Sequence, residues 1–266
     1  YPALYNATTN LNNQLQSLFK FIPNVYENNL YIERFNSFLD YQPEKSQGSD
    51  LVTSINTIEF KDVVFSYDGK STVVNNVNYI INKGDKIAIV GHNGAGKTTL
   101  ISLLLKLYYP TSGEILVNNK NINNFITSEY LKKFCVVTQD FKLFAVSIAE
   151  NILNKSDISE EEKEKVINSI KNVELYNKII LSSKGLDSQY SKEFYDDGII
   201  LSGGEEQKLA ISKIFATDAE IIILDEPSSS LDPVSEYNIF DKIMTQLKDK
   251  TILFISHRLY STTLAN

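Results

Sequence analysis

The feature that most constrains this chain is a glycine-rich turn set between two apolar runs. Lys86-Ile-Ala-Ile-Val90 leads directly into Gly91-His92-Asn93-Gly94-Ala95-Gly96-Lys97-Thr98, and Thr99-Leu-Ile-Ser-Leu-Leu-Leu105 follows. This is G-x-x-x-x-G-K-T between a strand and a helix. Gly91, Gly94 and Gly96 let the backbone wrap closely round a phosphate and aim several N–H groups at it. The helix start adds the positive end of its dipole, and Lys97 adds a full charge. Thr98 is placed to offer its hydroxyl to Mg²⁺. A turn of the same composition without a ligand is the plain alternative, but the strand before it and the helix after it favour a nucleoside triphosphate.

A second apolar run, Ile221-Ile-Ile-Leu-Asp225-Glu226-Pro227, reads as a buried strand that ends in two carboxylates. Burial on both faces fixes such a strand between neighbours, so Asp225 emerges at its end beside the phosphate loop. Beyond the strand end the chain turns, so both acids can face a nucleotide. Asp225 is then placed for the Mg²⁺ shell and Glu226 for orienting or deprotonating a water. Leu201-Ser202-Gly203-Gly204-Glu205 lies upstream, Ser229-Ser-Leu-Asp232 follows, and Phe254-Ile-Ser-His257-Arg places a histidine beyond another apolar strand.

This ordered set resembles the nucleotide-binding domain of ATP-binding cassette (ABC) transporters, of the exporter type, over about Ile58 to Leu259. The resemblance implies an α/β fold: a P-loop NTPase core with an antiparallel β subdomain and a helical subdomain at about 140–215. It implies ATP and Mg²⁺ as cofactors, with Thr98, Gln139 and Asp225 at the metal and Glu226, Gln139 and His257 in catalysis. Tyr67 matches the position whose ring stacks on adenine; Phe65, deeper in the same strand, reads as core. Gly91 to Thr99 match the phosphate-binding segment, with His92 at a variable, solvent-facing position. Ser202, Gly203 and Gly204 form a second anion-binding turn, which in the family closes over the γ-phosphate held by a partner, and Asp232 links the two sites. Glu205 departs from the commoner glutamine, and the helix dipole tolerates its charge there. Phe141, Leu143 and Phe144 offer an apolar surface to a membrane domain or else pack on the helical subdomain. Lys192 to Gly198 reads as a contact segment to the membrane domain.

Residues 1–50 read as a helical extension and linker, and 51–266 as the ATPase domain. Leu11, Leu15, Leu18, Phe19, Ile22, Val25, Leu30, Ile32, Phe35, Phe38 and Leu39 fall at helical spacing, and Pro23 is expected to kink the run or divide it. Two readings remain: an amphipathic helix packed on the domain, or the segment that joins the last membrane helix of an exporter to its ATPase domain, which Tyr31 to Asp40 resembles. Short β runs are expected from Ile55 to Ile81, broken at Asp68-Gly69 and at Asn75-Asn76. Further strands are expected at Gly113–Asn118 and Lys133–Thr138, and helices at Ser147–Leu153, Ser159–Tyr176 and Gln207–Ala216, with Ser159 and Glu162 forming a capping box. The family continues with further strands and helices after His257, whereas this sequence stops at Asn266. With no initiator Met, it is expected to be a piece of something longer.

A net charge of −7, without a Lys/Arg block, argues against nucleic acid as a partner. No stretch approaches the roughly 20 apolar residues that span a bilayer. The lone Cys135 sits in an apolar strand and reads as core. The resemblance implies the ATPase domain of an exporter, working with a second such domain as a homodimer at the cytoplasmic face of a bacterial plasma membrane and joined to transmembrane domains. The rivals are a cytosolic ABC ATPase acting on ribosomes or DNA, an ATP-binding module without turnover, and an importer ATPase. No heptad run of the kind found in repair-type members is present.

Overall fold

The computed structural model describes residues 2–40 and 48–255, which fall into two compact units, Tyr1–Ser46 and Gln47–Asn266. Among the described residues the first unit is a single helix, α1 (Pro2–Leu39), which runs through Pro23 without dividing. A proline removes one backbone donor locally, at a cost of about 3 kcal/mol, and the turns on either side keep their own hydrogen bonds. Phe19, Phe21, Ile22, Phe35 and Phe38 are all exposed on it. No helix among the described residues is long and apolar enough to cross a membrane.

The second unit runs β1 (Thr57–Ser66), β2 (Thr72–Asn82), β3 (Lys86–Ile89), α2 (Lys97–Leu104), β4 (Ser112–Val117), β5 (Lys120–Asn121), α3 (Thr127–Leu131), β6 (Phe134–Val137), α4 (Ile148–Leu153), α5 (Glu160–Asn172), α6 (Tyr176–Ile180), α7 (Gly203–Ala216), β7 (Ile221–Asp225), α8 (Pro233–Gln246) and β8 (Thr251–Ile255). An antiparallel sheet has the order β2-β1-β4-β5, and a parallel sheet the order β3-β8-β7-β6. The parallel sheet explains the unbroken apolar runs in the sequence. Ile222 and Leu224 of β7 and Ile252 and Phe254 of β8 pack toward helices α4 to α8. Their neighbours Ile221, Ile223, Leu253 and Ile255 pack with α2 and the antiparallel sheet. Successive side chains point to opposite faces, so a strand buried on both must be apolar at every position.

Three local expectations change. Strand β2 is continuous through Asn75 and Asn76, because Asn76 takes a left-handed conformation (φ 51°) and absorbs a register shift against β1. Asp62 does the same on β1 (φ 51°), and the Asn78 amide bonds both its N–H and its carboxylate at 2.9 Å. Asn and Asp tolerate that region better than other residues with side chains. Helix α5 ends at Asn172 rather than Tyr176, since Glu174 at φ 62° turns the chain before α6 begins. Helix α7 starts at Gly203, ahead of the apolar periodicity, because Ser202 caps it. The capping boxes at Ser147 and Ser159 are both formed.

The segment entering this unit is stitched to it by backbone and side-chain bonds. Asp50 N–H donates to Asn124 O at 2.9 Å, and Ile126 N–H to Asp50 O at 2.9 Å. The ion pair Lys133–Glu220 (2.9 Å) then grips the next residues, with Lys133 donating to Thr53 O and Glu220 accepting from Ile55 N–H.

A candidate nucleotide site at the strand ends

The turn after β3 has the backbone its glycines were expected to provide. Gly94 and Gly96 stand at φ 82° and 87°, and a Cβ on Gly96 would meet Val73 O at 2.8 Å. Only glycine fits there. Gly96 caps α2 without any side-chain bond, at the end of a helix whose dipole favours an anion. Lys97 reaches back across the turn, donating to Gly91 O (2.8 Å) and His92 O (3.0 Å). His92 is exposed and its Nδ1 lies 2.9 Å from Asn93 O.

Strand β7 delivers its two acids beside this turn. Thr98 Oγ1 donates to Asp225 Oδ2 at 3.3 Å. Burial pushes the Asp225 carboxyl above its ordinary value and the Glu226 charge adds to that, while the Thr98 bond and Lys97 pull the other way. Glu226 turns out of the strand at φ 49°, with its N–H held by Ile255 O at 2.9 Å. A left-handed glutamate costs about 1–2 kcal/mol and persists only where its surroundings fix it. That turn brings both acids to the same side.

One open pocket of about 610 Å³ is lined by Tyr67, Asn93 to Thr99, Gln139, Asp225 and Glu226, together with Val73 and Ile255. Gln139 is exposed just past β6. Tyr67 is 57% exposed where Phe65 is 5%, so the two rings divide as the sequence suggested. The Tyr67 hydroxyl lies 3.0 Å from Thr99 Oγ1, and its ring meets those of Phe65 and Tyr108 edge-on at 4.8 and 5.1 Å. A second groove, of about 530 Å³, is lined by Phe60, Tyr79, Ile87 and Leu100 among other side chains that are apolar except for Asn78, and it holds no charged group.

Ser202, Gly203, Gly204 and Asp232 do not line this pocket. Ser202 caps α7 in a box with Glu205, whose carboxylate accepts the Ser202 N–H at 2.7 Å. Lys178 pairs with Glu205 and, with the Ser202 bonds, holds its carboxyl below the usual range although burial works against this. Asp232 caps α8, accepting from Val234 and Ser235 N–H. His257 lies outside the described residues. Phe141 and Leu143 pack on the helical core, whereas Phe144 is exposed, as are Phe194 and Tyr195 of the 192–198 segment. Cys135 packs, partly buried, against the helical core, and burial raises its thiol to about 11. One polar residue escaped sequence reasoning. Gln207 is buried on α7 at i, i+4, i+7 spacing with Ile211 and Ile214, and a polar side chain on that apolar stripe was the available signal.

Comparison with known proteins agrees with this arrangement. The ABC transporter family model matches residues 74–229. A subtilin transport ATP-binding protein of Bacillus subtilis is 36% identical over 265 residues, covering 96% of this chain and 42% of that protein. A nisin transport ATP-binding protein of Lactococcus lactis subsp. lactis is 33% identical over 270 residues, covering 99% and 45%. A solved bacterial Atm1-family ABC exporter with ATP bound superposes with a TM-score of 0.78 at 26% identity, covering 91% of this chain and 42% of that one. The chain thus spans less than half the length of these relatives. A glycine turn that only glycine fits, two acids beside it, and a family match across both place the chain in the ABC transporter family.

Proposed function

We propose that this chain is the ATP-binding and ATP-hydrolysing domain of an ABC exporter. The observation that carries the reading is the convergence of Lys97, Thr98, Gln139, Asp225 and Glu226, from three separate segments, on one pocket. The Lys97 ammonium and the N–H groups of the loop hold the β- and γ-phosphates, and Tyr67 stacks on the base. The oxygens of Thr98, Asp225 and Gln139 suit Mg²⁺, a hard cation that takes few protein ligands when phosphate supplies the rest. A carboxylate as short of solvent as Asp225 is also one whose charge a cation would compensate. Bound Mg²⁺ supplies charge neutralisation at the phosphate oxygens. Glu226 accepts the proton of the attacking water, Gln139 orients that water, and His257 contacts the γ-phosphate.

The turn Ser202-Gly203-Gly204, being away from this pocket, serves the nucleotide of a second copy, and Asp232 ties the two sites together. Residues 1–50 lead in from transmembrane domains and 51–266 form the ATPase domain, at the cytoplasmic face of a bacterial plasma membrane. The exposed Phe144, Phe194 and Tyr195 suit contact with those membrane domains. The relatives' subtilin and nisin transport suggests a peptide cargo.

The test is Glu226→Gln in the full chain. ATP binding by calorimetry should be retained, and turnover should fall by at least about a hundredfold, the scale of a lost general base. With MgATP the variant should elute as a dimer. Turnover at the wild-type rate would remove Glu226 from the role of base.

A further inference from the structure

The stretch between Glu226 and α8 is held by one buried side chain. Gln207, in the second turn of α7, has only 1% of its surface exposed. Its Oε1 accepts the Ser230 N–H at 2.6 Å, and its Nε2 donates to Ser229 Oγ at 3.1 Å and, at a long 3.5 Å, to the Glu226 carbonyl. A backbone N–H can only donate, so the amide oxygen must face Ser230 and the NH₂ group the other two. The side chain therefore grips both ends of residues 226–230. Ser202 caps the same helix a turn earlier, and a Cβ on Gly204 would come to 3.0 Å from Ser230 O. The turn at the head of α7 and the turn after Glu226 are packed as one piece.

Glu226 needs such support. Its left-handed backbone is fixed on the N–H side by Ile255 O. On the carbonyl side it accepts long bonds from Gln207 Nε2 and from Ser229 N–H, at 3.5 and 3.4 Å. The short bonds from Gln207 to residues 229 and 230 close the turn that makes those long contacts possible.

We propose that Gln207 is a positioning residue for ATP hydrolysis: by holding Ser229 and Ser230 against α7 it sets the backbone, and so the carboxylate, of Glu226. This rests on the reading of Glu226 as the base. A tie that served stability alone would change the melting temperature and leave turnover by the folded protein intact.

Two variants of the full chain decide between these. Gln207→Met keeps the volume and removes the amide. Ser229→Ala removes one partner at an exposed position where folding is safe. Gln207→Met should lower kcat at saturating MgATP roughly ten- to hundredfold, the scale of a displacement near 1 Å at a reacting group. The dissociation constant of a fluorescent ATP analogue should stay within about twofold, because no phosphate or base contact is touched. Ser229→Ala should lower kcat less, and the double variant should be no worse than Gln207→Met, since Ser229 has already lost its partner. A folded Gln207→Met protein with wild-type kcat, or with equal losses of kcat and ATP affinity, overturns the proposal. If Gln207→Met does not fold, Ser229→Ala decides, and unchanged kcat overturns it. Turnover surviving in Glu226→Gln would instead sink the assignment of the base, whereas a dead Glu226→Gln beside a normal Gln207→Met sinks only the role of Gln207.

Discussion

Lys86 opens β3 and is 7% exposed, an unusual place for an ammonium group. Its three N–H donors are shared among four carbonyls, Gly84 O (3.2 Å), Leu247 O (3.2 Å), Lys248 O (3.1 Å) and Lys250 O. Three of these carbonyls follow the end of α8, where the negative end of the helix dipole favours a cation. Burial pushes the amine below its ordinary value, and Asp249 and Asp85 pull it back. Lys86→Met conserves the volume and removes every donor. Each charge-assisted bond is worth about 1.5–3 kcal/mol, and relief of the buried charge offsets part of their sum. The net loss should be about 3 kcal/mol, at the low end for stripping a buried charge network of one member. For a domain of this size that is a fall in Tm of about 6–12 °C. Thermal unfolding of the full chain followed by far-UV circular dichroism measures it. Lys70→Met, at an exposed position, serves as control and should change stability by no more than about 0.5 kcal/mol. A Lys86→Met Tm no lower than that of the control would refute the account, because it would mean that water replaces the ammonium at those carbonyls without loss.

Lys97→Ala should weaken ATP binding on the order of a hundredfold, the worth of a charge-assisted phosphate contact, and near-normal affinity by calorimetry would sink the reading of the loop. If the Ser202 turn completes a partner's site, specific ATPase activity should rise with protein concentration, and Ser202→Arg should bind ATP without turning it over; a flat profile in a protein shown to be monomeric with MgATP would deny the shared site. Asp68, at the hairpin beside Tyr67, is held at about 2 by the Ser71 and Lys70 N–H groups and the Ser66 hydroxyl, against an ordinary 3.8. Its folded value is the lower one, so its stabilisation is present above pH 3.8 and is lost as pH falls toward 2. Asp68→Ala should flatten the acid limb of the stability profile in that window, and an unchanged limb would show that the turn bonds do not bias its titration.

The parts of the site that are local in sequence were legible in it. The glycine turn, the apolar strand ahead of Asp225 and the capping box at Ser159 each depend on residues a few positions apart. The division of Phe65 from Tyr67 also followed from the sequence, which set Phe65 deeper in the strand; β1 in fact ends at Ser66, and Tyr67 lies just past it. What escaped was set by partners distant in sequence. Asn75 and Asn76 look like a strand break until β1, with its own bulge at Asp62, is laid beside them. Pro23 is a helix breaker by local chemistry, and the remaining ladder of α1 carries through it. Gln207 is an unremarkable glutamine until the loop 226–230 folds against it. Lys86 reads as the polar lead of a strand because nothing in its neighbourhood announces the carbonyls that follow α8.

The grip of Lys133 and Glu220 on residues 53 and 55 has a mechanical side. Glu220 immediately precedes β7 and Asp225 ends it, about 17 Å away along an extended strand. Hydrogen bonded to β6 and β8 along its length, β7 can neither stretch nor shorten. Lys133 stands in the same way before β6, whose other end leads to Gln139. A pull on the incoming segment is therefore taken up by two rods rather than by a loop. Their far ends carry the acids and the amide of the pocket, so force applied at the entry of the domain arrives there with little slack.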